Sequence, residues 1–323
     1  MIVLHVGESA REVTRDSASD QVRLALPTDV PVSRRSQMMT RRGQEPAAAR
    51  PGPAVTATQA GGAVVEEFPY GLGPPDGILA LRYPPTGGVV TDFPESRNDF
   101  VHQVYWSPDG VLAVGRGGTA AFAGPTSAVW VRQGVVAEVT ALEVQTVVRL
   151  CVRRAPDELV RHEATVLTMS PAAVEAVTRL VRPGTDERAG LAARGVLLTE
   201  LAASPADPIG YGSAELGPAG AVARALALDP ADRTSLPGWA ERLHVSPKTL
   251  QREFERVYGL SFSTWRTRTR LQASRAMLSR WSVTETAHRV GYATASSYVA
   301  AFTREYGEPP GRHAHRAVDA QAS

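Results

Sequence analysis

The segment from Pro247 to Gly259 reads PKTLQREFERVYG, and several of its polar residues can hydrogen-bond in pairs. A glutamine amide carries a donor and an acceptor side by side, which matches the major-groove edge of adenine, and an arginine fork matches that of guanine. Gln251 and Arg252 supply those groups, with Lys248 and Thr249 beside them. A later segment, ASSYVAAFTREY from Ala295 to Tyr306, offers Ser296, Ser297 and Ala300, short side chains suited to hydroxyl and methyl contacts. Ser246, Arg256, Thr294, Thr303 and Arg304 are better placed for phosphates, contacts that fix register without reading sequence. Any one of these residues alone would be an ordinary solvated position. The elements that carry them decide the matter.

Those elements occur twice. Trp239 to Phe262 and Thr286 to Pro310 follow one pattern, offset by 47 positions at the start and 48 at the end. Ala240 matches Ala287, Leu243 matches Val290, Leu250 matches Tyr298, Phe254 matches Phe302, and Gly259 matches Gly307. In the first copy, Ser235 to Leu243 forms a supporting helix and His244 to Ser246 a turn. Ser246 caps the next helix and Pro247 takes its first position. Leu250, Phe254 and Val257 are spaced four and three apart, so they share one face and leave the polar residues on the other. Gly259 ends the helix in the manner of a left-handed cap. The second copy has Val283 to Val290 as support, a turn at Gly291 to Thr294, and a helix from Ala295 to Tyr306. One helix from about Ser263 to Arg280 links them, carrying Arg266, Arg268, Arg270 and Arg275, which serve either as phosphate grips or as solvated charges. Each copy is a helix-turn-helix unit, which places its second helix in a major groove.

Charge agrees with this reading. The net charge is +2, but residues 233–316 hold 14 Lys or Arg against 6 Asp or Glu, and the remainder 21 against 27. A basic module on an acidic body is an electrostatic footprint of nucleic-acid binding. The single cysteine, Cys151, rules out an internal disulfide framework and fits a reducing compartment; it reads as strand core or, more sharply, as a redox-sensing thiol. No apolar run approaches the roughly 20 residues of a membrane span, and the first residues lack a signal-peptide pattern.

The chain divides into four regions. Residues 1–60 are expected to be a disordered extension, with Arg pairs that either contact phosphates or merely float. Residues 61–155 read as short strands (Phe100 to Trp106, Val111 to Val114, Ala128 to Val131, Val135 to Val139, Val144 to Val152) cut by Gly-rich turns, the pattern of a small barrel or jelly roll. Residues 156–230 read as helices near Ser170 to Val181, Asp186 to Ala203 and Gly217 to Leu228, for dimerisation or for covering the barrel. Residues 231–317 are the tandem helix-turn-helix domain. No phosphate loop or nucleophile elbow is present, and His313 and His315 have no ligand companions at metal spacing.

The run Ala287, Val290, Gly291, Tyr292, followed by Ser297, Phe302, Arg304, Gly307 and Pro310, closely resembles the AraC/XylS family of bacterial transcription regulators, as does WAERLHVSPKTLQREFERVYG. The resemblance implies that Lys248, Thr249, Gln251, Arg252, Ser296, Ser297 and Ala300 face bases. The N-terminal half resembles, more weakly, a cupin-type sensor branch, through HQVYWSPDGVLAV and SAVWVRQGVVAEV. The implied fold is α+β: a cupin-like β-barrel, then helices, then an all-α tandem helix-turn-helix domain. Cupins bind metals through clustered His and Glu, but this chain keeps His102 and has Ala137 where that branch tends to carry His, so no metal, no cofactor and no catalysis are expected. The expected function is a sequence-specific regulator in the bacterial cytoplasm, binding double-stranded DNA, forming a homodimer and contacting RNA polymerase. A small-molecule effector would sit in the barrel near His102, Tyr105, Trp106, Trp130 and Glu143, although core packing also accounts for the aromatics. The alternatives are a constitutive regulator whose barrel only dimerises, a cupin enzyme fused to a DNA module, and an RNA-binding or architectural protein.

Overall fold

The computed structural model describes residues 22–25, 56–60, 63–85, 89–209 and 217–315. Most of the expected N-terminal extension lies outside them, although Val22–Ala25 and Thr56–Ala60 within it are strands. The strands are β1 (Val22–Ala25), β2 (Thr56–Ala60), β3 (Ala63–Tyr70), β4 (Ile78–Tyr83), β5 (Val89–Arg97), β6 (His102–Trp106) and β7 (Leu112–Arg116). They continue as β8 (Thr119–Ala123), β9 (Ser127–Val131), β10 (Val136–Ala141), β11 (Val147–Val152), β12 (Ala164–Thr168) and β13 (Ala206–Pro208). They form two sheets, one in the order β1-β5-β10-β7-β8 and one in the order β13-β12-β9-β6-β11-β4-β3-β2. A barrel needs its end strands bonded to each other. Here β1 and β8 end one sheet and β13 and β2 the other, so the expected cupin-like barrel is replaced by two sheets that do not close.

The sheets face each other across an apolar layer. Side chains alternate along each strand with period two. Leu112 and Val114 of β7, Val139 of β10, Phe93 of β5, Val129 and Val131 of β9, and Tyr105 of β6 fill that layer. The opposite side of the larger sheet carries Phe68, Ile78, Val104, Trp106, Trp130, Val148 and Leu150. Three helices pack over it: α1 (Asp157–Val160), α2 (Pro171–Leu180) and α3 (Glu187–Ala203). Both longer helices start where their caps dictate: Ser170 accepts from the Ala173 N–H at 3.1 Å and Asp186 from the Ala189 N–H at 2.8 Å. The region read as helical from 156 onward therefore also contributes β12 and β13, because β12 completes the sheet beside β9, with Thr165 opposite Trp130.

The C-terminal helices are α4 (Pro218–Leu228), α5 (Leu236–Arg242), α6 (Pro247–Tyr258), α7 (Phe262–Met277), α8 (Val283–Arg289) and α9 (Ala295–Tyr306). They rest on the outer side of β7 and β8. Val111, Ala113 and Phe122 of that side join one cluster with Leu271, Met277, Leu278, Ala287, Tyr298 and Phe302. Polar contacts frame it: Arg224 is paired in bidentate fashion with Glu138, at 2.7 Å and 2.7 Å, and the Tyr258 hydroxyl donates to the Gly118 carbonyl at 3.0 Å. The approach is tight at Gly124, where an added Cβ would lie 2.2 Å from the Ala276 carbonyl oxygen.

Gly124→Ala is therefore expected to cost about 1–3 kcal/mol through overpacking and to lower the Tm measurably in thermal unfolding. Gly73→Ala is the matched control, since an added Cβ there meets nothing within 4 Å, and should leave stability within about 0.5 kcal/mol.

Candidate nucleic-acid interface

The first unit is α5, a turn and α6. Ser235 caps α5, accepting from the Gly238 N–H at 3.2 Å. The chain reverses at His244, whose φ of 54° is left-handed, and the Val245 N–H returns to the Ala240 carbonyl at 3.0 Å. Ser246 then caps α6 through the Thr249 N–H at 3.0 Å, and Gly259, φ 64°, closes it. The second unit repeats this geometry. Ser282 and Glu285 form a reciprocal cap on α8. Gly291, the counterpart of His244, has φ 83°, and the Tyr292 N–H returns to Ala287 at 2.9 Å. Thr294 caps α9 through the Ser297 N–H at 3.2 Å, and Gly307, φ 73°, ends it. The unit-two turn also needs a small residue, since a Cβ on Gly291 would lie 2.7 Å from the Arg270 Nη2.

Burial anchors each probe on its apolar side. Leu250 and Phe254 of α6, and Tyr298 and Phe302 of α9, are fully enclosed. All twelve side chains expected to face DNA lie on the other side, and none is buried. Lys248, Arg252, Ser296, Ala300, Arg256 and Arg304 are exposed, and so are Ser246, Thr249, Thr294 and Ser297. Gln251 and Thr303 are half-buried. The structure separates their roles further. The Thr249 hydroxyl pairs with Ser246 at 2.7 Å, and the Ser297 hydroxyl donates to the Thr294 carbonyl at 2.9 Å, so both serve their helix caps. Gln251 donates to Glu255 at 2.7 Å, a bond it must exchange to reach a base. Aligning the units places Lys248, Gln251 and Arg252 opposite Ser296, Val299 and Ala300. One probe carries three long polar groups and the other a hydroxyl and two apolar side chains.

The linking helix α7 is less available than its sequence suggests. Arg266 donates to the Thr234 carbonyl at 3.0 Å, and Arg270 to Pro230 and Asp232 at 2.9 and 2.8 Å. Arg268 pairs with Glu305 at 3.3 Å, and Arg275 lies over the Tyr306 ring at 5.1 Å. Arg266 and Arg270 are thus tied into the module, whereas Arg268 and Arg275 make their contacts at its exposed surface. Their carbonyl and ring partners lie beyond the reach of sequence periodicity.

The expected effector residues are not brought to one face. His102 stacks on Trp130 at 5.0 Å, and Trp106 and Trp130 sit under the covering helices, their indole N–H groups donating to Pro125 and His162. Tyr105 points the other way, into the layer between the sheets. Burial and nearby Arg132 hold the His102 imidazole below the usual histidine range, and its Nδ1 accepts from the Gln133 N–H at 3.1 Å. Glu143 belongs to the interface with the DNA module: it pairs with Arg289 at 3.0 Å and Arg280 at 3.7 Å, and both guanidinium groups flank Trp281. Among the described residues no three His, Cys, Asp or Glu gather as a metal site, and no helix is long and apolar enough to cross a membrane.

Two capped helix-turn-helix units with their probes exposed define a DNA-binding module. Residues 239–316 match the helix-turn-helix domain family, and the chain thus carries an AraC-type domain of that family. It is 43% identical over 91 residues to the HTH-type transcriptional regulator RipA of Corynebacterium glutamicum, a match covering 28% of this chain and 28% of that protein. The HTH-type transcriptional regulator NimR of Escherichia coli is 26% identical over 198 residues, 59% of this chain and 71% of the other. The solved ToxT from Vibrio cholerae aligns at TM-score 0.30 and 10% identity, covering 74% of this chain and 97% of that one.

Arg252→Ala is expected to cost about 1–3 kcal/mol on a selected site and to relax one base position, whereas Arg304→Ala should weaken all duplexes uniformly and reduce the salt slope. Quantitative mobility-shift titrations at several salt concentrations read both. Equal losses on specific and random DNA for Arg252→Ala would assign it to phosphate.

Proposed function

We propose that the chain is a sequence-specific, DNA-binding transcriptional regulator that reads its site chiefly through α6. The observation that carries this reading is the pair of exposed probe helices, built from one repeated pattern and fixed to a common linking helix. Lys248, Gln251 and Arg252 choose bases; Ser296 and Ala300 make shorter contacts; Ser246, Thr249, Thr294 and Ser297 shape the helix N-termini, whose free N–H groups favour phosphate. Arg256, Thr303 and Arg304 add backbone contacts. The N-terminal sheets have no assigned catalytic role in this reading. They bind a small effector, contribute to a homodimer and bias the DNA module through the β7–β8 contact. Contact with RNA polymerase and a cytoplasmic setting follow from the same role.

In vitro selection from a random duplex pool tests it. The outcome expected is enrichment of one asymmetric site, with strong base preference in the half read by α6 and weak preference in the other. RNA added in equal mass should compete poorly. No enriched motif, or equal competition by RNA, would contradict the proposal and favour an architectural or RNA-binding role.

A further inference from the structure

Arg149 stands in an unusual position. On β11 it alternates with Val148 and Leu150, which face the covering helices, so Arg149 faces the layer between the sheets along with Val147. Its guanidinium lies over the Phe93 ring at 5.6 Å and the Tyr105 ring at 5.7 Å. Tyr83 closes the same group, edge-on to Phe93 at 5.1 Å, and Tyr105 is edge-on to Phe93 at 5.1 Å. Cys151, two residues along β11, pairs with Gln103, which accepts from the Tyr105 hydroxyl at 2.8 Å. The polar groups around the guanidinium are thus the Tyr83 and Tyr105 hydroxyls and the Cys151 thiol, with no carboxylate of the described residues acting on it. Its Nε is enclosed and has no hydrogen-bond partner, although the residue as a whole stays partly accessible. Desolvation pushes the Tyr83 hydroxyl up to about 12 and raises Tyr105 and Cys151, so none of the three supplies a counter-charge near neutral pH.

A guanidinium taken from water and given aromatic faces, neutral hydroxyls and a thiol, but no anion, is only partly compensated: cation–π contact and the neutral Tyr83 and Cys151 groups offset part of its lost hydration, and an enclosed Nε–H without an acceptor adds to the deficit. What it lacks is a planar acceptor for a two-pronged hydrogen bond. We propose that Arg149 is the anchor of an anion site between the sheets, which takes a small organic monocarboxylate with a compact apolar body. The carboxylate meets the guanidinium fork, the Tyr83 and Tyr105 hydroxyls flank it, and the body lies against Phe93 and Leu81. This deepens the effector part of the proposed function. The test below reads binding to DNA-free protein, so its failure leaves the DNA-binding reading intact.

Phenylacetate and hexanoate are the probes, with phenylacetamide and hexanamide as uncharged matches, each titrated into the full chain by calorimetry and thermal shift. A ligand that binds only the folded state raises its Tm. The expected result is saturable binding and a raised Tm for at least one acid, with its amide at least tenfold weaker. Arg149→Gln should abolish that difference and Arg149→Lys should keep part of it. A readout on the wild-type chain guards against misfolding of the variants: Cys151 is the only thiol, so the bound acid should slow its alkylation. Equal binding of acid and amide, binding unchanged in Arg149→Gln, or no response to either acid would overturn the proposal.

Discussion

The helix α7 is buried at its two ends in two different cores, and that constraint organises everything that faces DNA. Phe262 and Trp265 near its start pack with Leu250 and Phe254 of the first unit. Leu271, Ala273 and Met277 near its end pack with Tyr298 and Phe302 of the second. Sixteen residues at 1.5 Å rise span about 24 Å, which holds the two units a fixed distance apart. A flexible tether of that length would let each unit bind alone. A packed helix sets both probes at once, and the cost of ordering them is met on folding and not again on each encounter.

The same helix ties the module to the sheets. Its last turn meets Gly124 backbone to backbone, and the adjoining cluster mixes residues of β7 and β8 with those of the second unit. Glu143 bridges the sheet body to Arg280 and Arg289, while Glu138 holds Arg224 of α4. Each of these pairs joins a half-exposed arginine to a carboxylate that is buried (Glu138) or partly buried (Glu143), and neither carries the contact by itself. Here they border an apolar contact that already fixes position, so they set orientation. A ligand lodged between the sheets would lie one strand layer away from that contact, a short path for any change in the packing of β7.

Much of the DNA module was legible in the sequence because local chemistry determines it. Serine caps at Ser170, Ser235 and Ser246, each with a proline at the first or second helical position, and glycines at 259 and 307, mark helix ends that the structure places within a residue or two. Apolar spacing identified which sides of α6 and α9 are buried. The left-handed turn at His244 was hidden, since nothing in its residue type demands a positive φ; its alignment with Gly291 was the available signal. The sheets were harder. β8, TAAFA, has little β-branched character, and β5 holds a proline and three charges, so neither stood out. Closure of a barrel depends on long-range pairing that no short pattern encodes. The partners of Glu143 and of the arginines of α7 were hidden for a related reason: they lie 31 to 146 residues away in the chain. Arg149 went unremarked within its strand, because its meaning comes from the missing carboxylate around it.

The most direct test of the central claim, one rigid module presenting two probes to one duplex, is hydroxyl-radical footprinting of the full chain on its selected site. Two protected windows about 10 base pairs apart on one face of the duplex should appear together at the same protein concentration. A single protected window, or two that fill at separate concentrations, would contradict it.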